Sequence, residues 1–265
     1  MAELLSEHRD TVAILTLNNP KRRNALTAAC LQTLRARLAD ALDADAVRSV
    51  VLTGAGDAFC AGLDLHAVRR HLQPGRFVRL LADPHRAGEP HALDAMLTDL
   101  AAIYAAVESA GKPVVAAVNG PAVAGGAGLV ACCDVTVAAQ GATIGCPGIR
   151  IGLVAPVLDG PLVRRVGWGA ARHLLLTGAL LDAKQARACG LFHEITAPEA
   201  CLARAVGLAE QLGDVPPAAF AATKRSFLPS THDAAPGAQC TPADAPLLLY
   251  DVDATAALDR FLTHQ

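Results

Sequence analysis

The stretch KPVVAAVNGPAVAGGAGLVACCD, residues 112–134, limits what this chain can fold into more than any other. PVVAAVNG reads as a buried strand, and a small-residue loop with Gly at 125, 126 and 128 opens a helix directly after it. SVVLTG (49–54) followed by AGDAFCAGLDL (55–65) repeats that order of buried strand, loop and helix. A strand-then-helix rhythm of this kind implies an α/β layered core. TVAILTL (11–17) and DVTVAA (134–139) add strands, and GATIGCPGIRIGLVAP reads as turns around a short one. Thr27 is placed to cap an amphipathic helix with Leu31, Leu34, Leu38 and Leu42 on one face. Further helices are expected over about 92–110, 160–176, 182–189 and 199–212.

Two segments break the rhythm. Residues 66–91 carry four histidines (66, 71, 85, 91), five arginines and Pro-Gly breaks, which suits a mobile surface segment or lid. Residues 228–246, LPSTHDAAPGAQCTPADAP, read as a loop, and the apolar tail 247–263 as a docking helix.

Composition narrows the class of partner. With 52% hydrophobic and 18% charged residues, a packed core is easy to form and disorder is not expected. A net charge of −2 argues against nucleic acid or an anionic membrane as the main partner. The eight cysteines form no CxxC pair and several lie in apolar runs, as buried free thiols do. MAELLSEHRD lacks the apolar segment of a secretory signal, and the apolar run 113–118 is too short to span a bilayer, so a soluble cytoplasmic protein is expected.

FCAGLDL and NGPAVAGGAG share a physical logic. Small residues let a ligand approach the main chain, and helix N-termini offer unpaired N–H groups. Two such donors aimed at one point would form an oxyanion hole; the alternative is that the glycines serve helix–strand packing alone. Other chemistries lack their marks. There is no GxSxG elbow, no GxxxxGK[ST] loop and no GxGxxG fingerprint. The histidines at 66, 71, 85 and 91 lack the spacing of a compact metal site. Cys60 and Cys146 lie near the inferred pocket without an evident histidine partner, and Cys132 and Cys133 read as core.

In order along the chain, NNPKRRNALT, TGAGDAFCAGLDL, KPVVAAVNGPAVAGGAGLVACCDV, GIRIGLV and LLLTG resemble the crotonase (enoyl-CoA hydratase/isomerase) superfamily. The likeness runs over about residues 10–195. It implies a spiral of ββα units, with 1–198 as an acyl-CoA-binding core and 199–265 as a helical region that builds trimers or dimers of trimers. The implied partner is an acyl-CoA thioester, coenzyme A being part of the substrate and no separate cofactor being needed. Its thioester oxygen would sit between the backbone N–H groups of Leu63 and Gly125. Ala61, Gly62, Leu63, Asp64, Leu65 and His66 would line the adenine and pantetheine path. Lys21 would lie near the CoA phosphates with Arg22 or Arg23 as helpers, unless that basic turn is merely solvated.

The departures from the family pattern matter as much. Hydratases of the superfamily carry one glutamate three positions after the oxyanion glycine and a second after the Pro of the next turn. Here those positions are Gly128 and Gly148. Hydration needs a base for water and an acid for carbon, and glycine supplies neither. The aspartate of the superfamily's dehalogenases falls at Pro156, leaving Asp159 as a substitute acid or base unless it caps the next helix. His66, His71, His193 and Glu194 are further candidates, each with a plain structural alternative, whereas Asp64 and Asp134 fall at positions that are usually structural. The expected protein is an acyl-CoA lyase or isomerase, with decarboxylation or hydrolysis open, or else an acyl-CoA-binding scaffold without chemistry.

Overall fold

In the computed structural model, which describes residues 2–71, 92–153, 156–227 and 263, the apolar runs become strands of one six-stranded sheet. Its members are β1 (Leu4–Arg9), β2 (Val12–Leu17), β3 (Ser49–Gly54), β4 (Val114–Val118), β6 (Val135–Ala139) and β9 (Glu194–Thr196), side by side in that order. β1 pairs antiparallel with β2, and all other neighbours are parallel. A smaller sheet joins β5 (Ala122–Val123), β7 (Thr143–Gly145) and β8 (Leu180–Asp182). The helices are α1 (Ala28–Asp43), α2 (Leu65–His71), α3 (Ala92–Ser109), α4 (Gly125–Cys132), α5 (Asp159–Thr177), α6 (Ala183–Ala188), α7 (Cys201–Gly213) and α8 (Pro217–Ser226).

The chain repeats one unit: a main-sheet strand, a short pairing in the second layer, then a helix. β4, β5 and α4 form one turn of this spiral; β6, β7 and α5 form another. In the earlier turns the second layer shrinks to single bridges, Leu26 with Leu63 and Cys60 with Ala122. Those bridges lead into α1 and α2 and carry the small sheet across to the loops described below.

Both faces of the main sheet are covered, which is why β3 and β4 are buried along their whole length. Ala13, Leu15, Val50, Leu52, Val114 and Ala116 face Leu31, Leu34 and Leu38 of α1 and Leu100 and Ile103 of α3. Val12, Ile14, Val51, Val115, Ala117 and Val137 face Cys201, Ala205, Val206 and Ala209 of α7. The first helix of the region expected to join copies thus packs on its own chain's sheet. No helix among the described residues is long and apolar enough to cross a membrane.

Thr27 caps α1 as its position predicts, its hydroxyl accepting from the Cys30 amide at 3.0 Å. β1 has no counterpart in the expectations. It is an edge strand with only Leu4 buried, so its sequence LLSEHR lacks alternation. Residues 66–71, expected in a mobile segment, are helical. The rest of that segment, the loop at 228–246 and all of the tail at 247–263 except Thr263 lie outside the described residues.

α8 is held by charge. Lys224 donates to Asp134 at 2.7 Å and to the Val107 carbonyl at 2.8 Å, while Asp134 accepts from the Val114 amide at 2.8 Å. Asp134 is therefore structural, and its burial raises its carboxyl despite the lysine. Lys224→Ala strands a largely buried carboxylate and is expected to cost about 3 kcal/mol of stability, read from urea denaturation midpoints.

Candidate active site: two glycine loops in contact

The segments expected to converge do so. Gly62 has φ of 83°, and a Cβ built there would stand 2.9 Å from the Gly125 nitrogen and 2.9 Å from the Val123 carbonyl oxygen. Only glycine meets both the conformation and the space. Gly126 is pressed in the same way, with its built Cβ 2.4 Å from the Cys60 carbonyl oxygen. The two loops therefore touch main chain to main chain.

Hydrogen bonding decides which amides remain free. In the bridge to Leu26, the Leu26 amide donates to the Gly62 carbonyl at 2.7 Å and the Asp64 amide to the Leu26 carbonyl at 3.0 Å. That parallel pattern turns the N–H of Leu63 away from Leu26, toward the side where Val123–Gly125 run. Among the described residues neither the Leu63 amide nor the Gly125 amide has an acceptor. Gly125 is the first residue of α4, so no helix carbonyl precedes it as a partner. Ala124 before it has φ 49° and ψ −115°. That is a conformation rare for a residue with a Cβ, and such strain costs about 1–3 kcal/mol and gathers at functional sites.

Side chains hold these loops. Asn24, itself in a left-handed conformation, donates to the Ala55 and Ala58 carbonyls at 2.9 and 2.8 Å. Asn119 accepts from the Gly54 amide at 3.2 Å and donates to the Gly56 carbonyl at 2.9 Å. The Ala61 amide donates to the Arg23 carbonyl at 2.9 Å, which fixes the basic turn against the loop. Asp64 accepts from the His66 amide at 2.9 Å as the cap of α2 and pairs with Arg22. Of the residues expected to meet coenzyme A, Lys21, Arg23 and His66 are exposed, Ala61, Leu63 and Leu65 are half-buried, and the Asp64 carboxylate is occupied within the protein.

The two glycines at the expected acid positions differ sharply. A Cβ on Gly128 would lie 2.2 Å from the Tyr104 hydroxyl oxygen and 2.4 Å from its Cζ. Tyr104, on α3, donates that hydroxyl to the Gly125 carbonyl at 2.7 Å. A Cβ on Gly148 would meet Leu153 at 3.3–3.4 Å, a tight fit without gross overlap. Tyr104 escaped sequence reasoning, although a tyrosine inside an apolar helix signals a hydroxyl in need of a buried partner.

The other candidates divide by partnership. Asp159 does not cap α5: the cap position is Leu158, and Asp159 is the first helical residue. Among the described residues its carboxylate has no hydrogen-bond or ion-pair partner, and partial burial raises its pKa. The turn before it, Pro156–Leu158, packs on α3 and α4. His193 accepts from the Thr136 amide at Nδ1, 3.0 Å away, and burial together with Arg165 lowers its pKa, so it is a neutral structural ring. Glu194 is paired with Arg204 at 2.7 Å. Burial pushes the thiols of Cys60 and Cys146 up to about 12, which removes them as nucleophiles near neutrality. The side chain of His71 and all of His85 and His91 lie outside the described residues.

A family model described as enoyl-CoA hydratase/isomerase matches residues 12–241. The chain belongs to this family. It is 42% identical over 218 residues to a Thermus thermophilus protein bearing an enoyl-CoA hydratase name, covering 82% of this chain and 80% of that one. It is 32% identical to the 2,3-dehydroadipyl-CoA hydratase of Escherichia coli, covering 86% and 82%. An enoyl-CoA hydratase/isomerase structure from Xanthobacter autotrophicus Py2 superposes with a TM-score of 0.74 at 28% identity, covering 85% and 78%. The crotonase-type fold expected from the motifs is thereby established, and with it an enzyme family that works on acyl-CoA substrates.

Alanine in place of Gly128 should gain up to about 1 kcal/mol from helix propensity. Overlap with the Tyr104 ring outweighs this, so Gly128→Ala is expected to destabilise by about 1–3 kcal/mol. Most of that loss should vanish in a Tyr104→Ala background, as a double-mutant cycle of denaturation midpoints would show.

Proposed function

We propose that this chain is an acyl-CoA enzyme in which the Leu63 and Gly125 amides receive the thioester oxygen and stabilise an enolate as it forms. The observation that carries this is the pair of amides, without acceptors among the described residues, on segments in contact at Gly62. Fixed donors of this kind act without reorganisation, and losing one in a hydrolase costs about 2.7–4 kcal/mol in the transition state. Coenzyme A enters as part of the substrate. Ala61–His66 flank its path, and Lys21 and Arg23, exposed on the turn bound to Ala61, are proposed to meet its phosphates. Arg22, tied to Asp64, holds the turn in place. Assembly as a trimer or dimer of trimers belongs to the same proposal.

Two-glutamate hydration is not proposed, because positions 128 and 148 carry no side chain. Loss of CO2 from an α-carboxylated acyl-CoA, of the malonyl type, suits the site better. The electron pair of the breaking C–C bond passes into the enolate, no base is needed, and one proton then returns to the α-carbon. Asp159 is the proposed donor, since burial favours its protonated form and it has no partner among the described residues. The bare glycines also favour a second reading, an acyl-CoA-binding protein without chemistry.

Calorimetry and turnover assays with crotonyl-, malonyl- and β-ketoacyl-CoA separate these readings. The expected result is binding, crotonyl-CoA hydration near background, and CO2 release from the α-carboxylated thioester, malonyl-CoA. Binding without any turnover supports the scaffold reading, and failure to bind any CoA species defeats both. Rapid hydration of crotonyl-CoA would show that proton donors were misassigned. Gly62→Ala, forced against the Gly125 nitrogen, is expected to weaken acyl-CoA binding by about tenfold or more.

A further inference from the structure

We propose that Tyr104 is a positioning residue for the Gly125 amide, its phenol filling the space beside Gly128 and its hydroxyl holding the mouth of α4. The inference deepens the acyl-CoA reading and rests on it. Gly125 joins two peptide planes, one carrying its N–H and the next its carbonyl. Without a Cβ, the torsions between those planes are unusually free. Upstream, the Ala124 carbonyl, in the same peptide plane as the Gly125 N–H, accepts from the Gly128 amide at 3.1 Å, and the Ala124 amide donates to the Gly145 carbonyl at 2.8 Å. Downstream, Tyr104 donates to the Gly125 carbonyl at 2.7 Å. Held on both sides, the Gly125 N–H keeps one direction, which is what a preorganised donor requires.

The phenol suits this task. It is 2% exposed, and burial raises its pKa well above the ordinary tyrosine value, so it stays a neutral donor. The 2.2 Å approach of a built Gly128 Cβ to its oxygen means that the ring and a side chain at 128 exclude each other. The absence of a side chain at 128 and the presence of the tyrosine are two sides of one packing arrangement.

The test reads carbonyl polarisation directly. A dimethylaminocinnamoyl thioester of coenzyme A absorbs at longer wavelength when its carbonyl is polarised. Wild-type protein should bind it with a red shift. Tyr104→Phe should bind within about threefold of wild type yet lose about half of that shift or more. The chain has two tyrosines, at 104 and 250, so in a Tyr250→Phe background biosynthetic 3-fluorotyrosine enters at 104 alone. There it keeps the ring while strengthening the donor, and the red shift should grow.

A wild-type protein that neither binds nor shifts the chromophore overturns the acyl-CoA reading and this inference with it. A shifted wild type with an equally shifted Tyr104→Phe overturns the inference alone. So does a Phe variant that loses affinity, shift and melting temperature together, the pattern of a merely structural residue. If Tyr104→Phe does not fold, the fluorotyrosine protein decides: an unchanged shift overturns the proposal.

Discussion

The contact between the main chains at Gly62 and Gly125 is the constraint on which the rest of this molecule depends. Two backbones can approach that closely only where neither carries a side chain between them, and only if both are held from elsewhere. β3 and β4 supply the holding. They pair in parallel at the centre of the sheet, so the loops leaving their C-terminal ends start side by side. The second layer then steers those loops, through the bridges of Cys60 with Ala122 and Leu26 with Leu63. Asn24 and Asn119 take up the carbonyls of Ala55, Gly56, Ala58 and Phe59 that no ladder satisfies.

Most of the acids considered as candidates are engaged inside the protein. Asp64 serves Arg22 and the start of α2; Asp134 serves Lys224 and the start of β4; Glu194 serves Arg204. His193 is fixed to Thr136 as a neutral ring. Acids or bases chosen by residue type alone are therefore poor guides here, because a buried carboxylate must find partners before it can do anything else. Asp159 differs in having none among the described residues.

Legibility in the sequence followed burial. SVVLTG appears as β3 over the expected residues, and PVVAAVNG contains β4, because strands covered on both faces leave an unbroken apolar run. Thr27 and the leucines of α1 were legible for a similar reason: cap chemistry and a one-sided apolar stripe leave local marks. β1 left none, since one buried residue in six makes no pattern. β8 and β9 are three residues each and exist only because a neighbouring strand offers a free edge. The glycine loops could be read as a site, but not how they are held. The Tyr104 bond spans 21 residues, and no local signal links that tyrosine to Gly128.

That long-range pairing bears on how the glycine at 128, a position where the family resemblance implies a glutamate, is understood. A glycine in place of an acid suggests simple loss of a group, with the surroundings left as they were. Here the surroundings are filled: a ring occupies the volume, and its hydroxyl serves the backbone rather than a ligand. Placing a carboxylate at 128 would therefore require removing Tyr104, with loss of one anchor of the Gly125 carbonyl. A negative charge there would also oppose the charge developing on an enolate oxygen nearby, in surroundings where such opposition is weakly screened. A neutral phenol avoids that opposition and still keeps the helix mouth rigid. That arrangement is what the proposed decarboxylation requires, in which the substrate supplies its own electron pair and the protein supplies fixed dipoles.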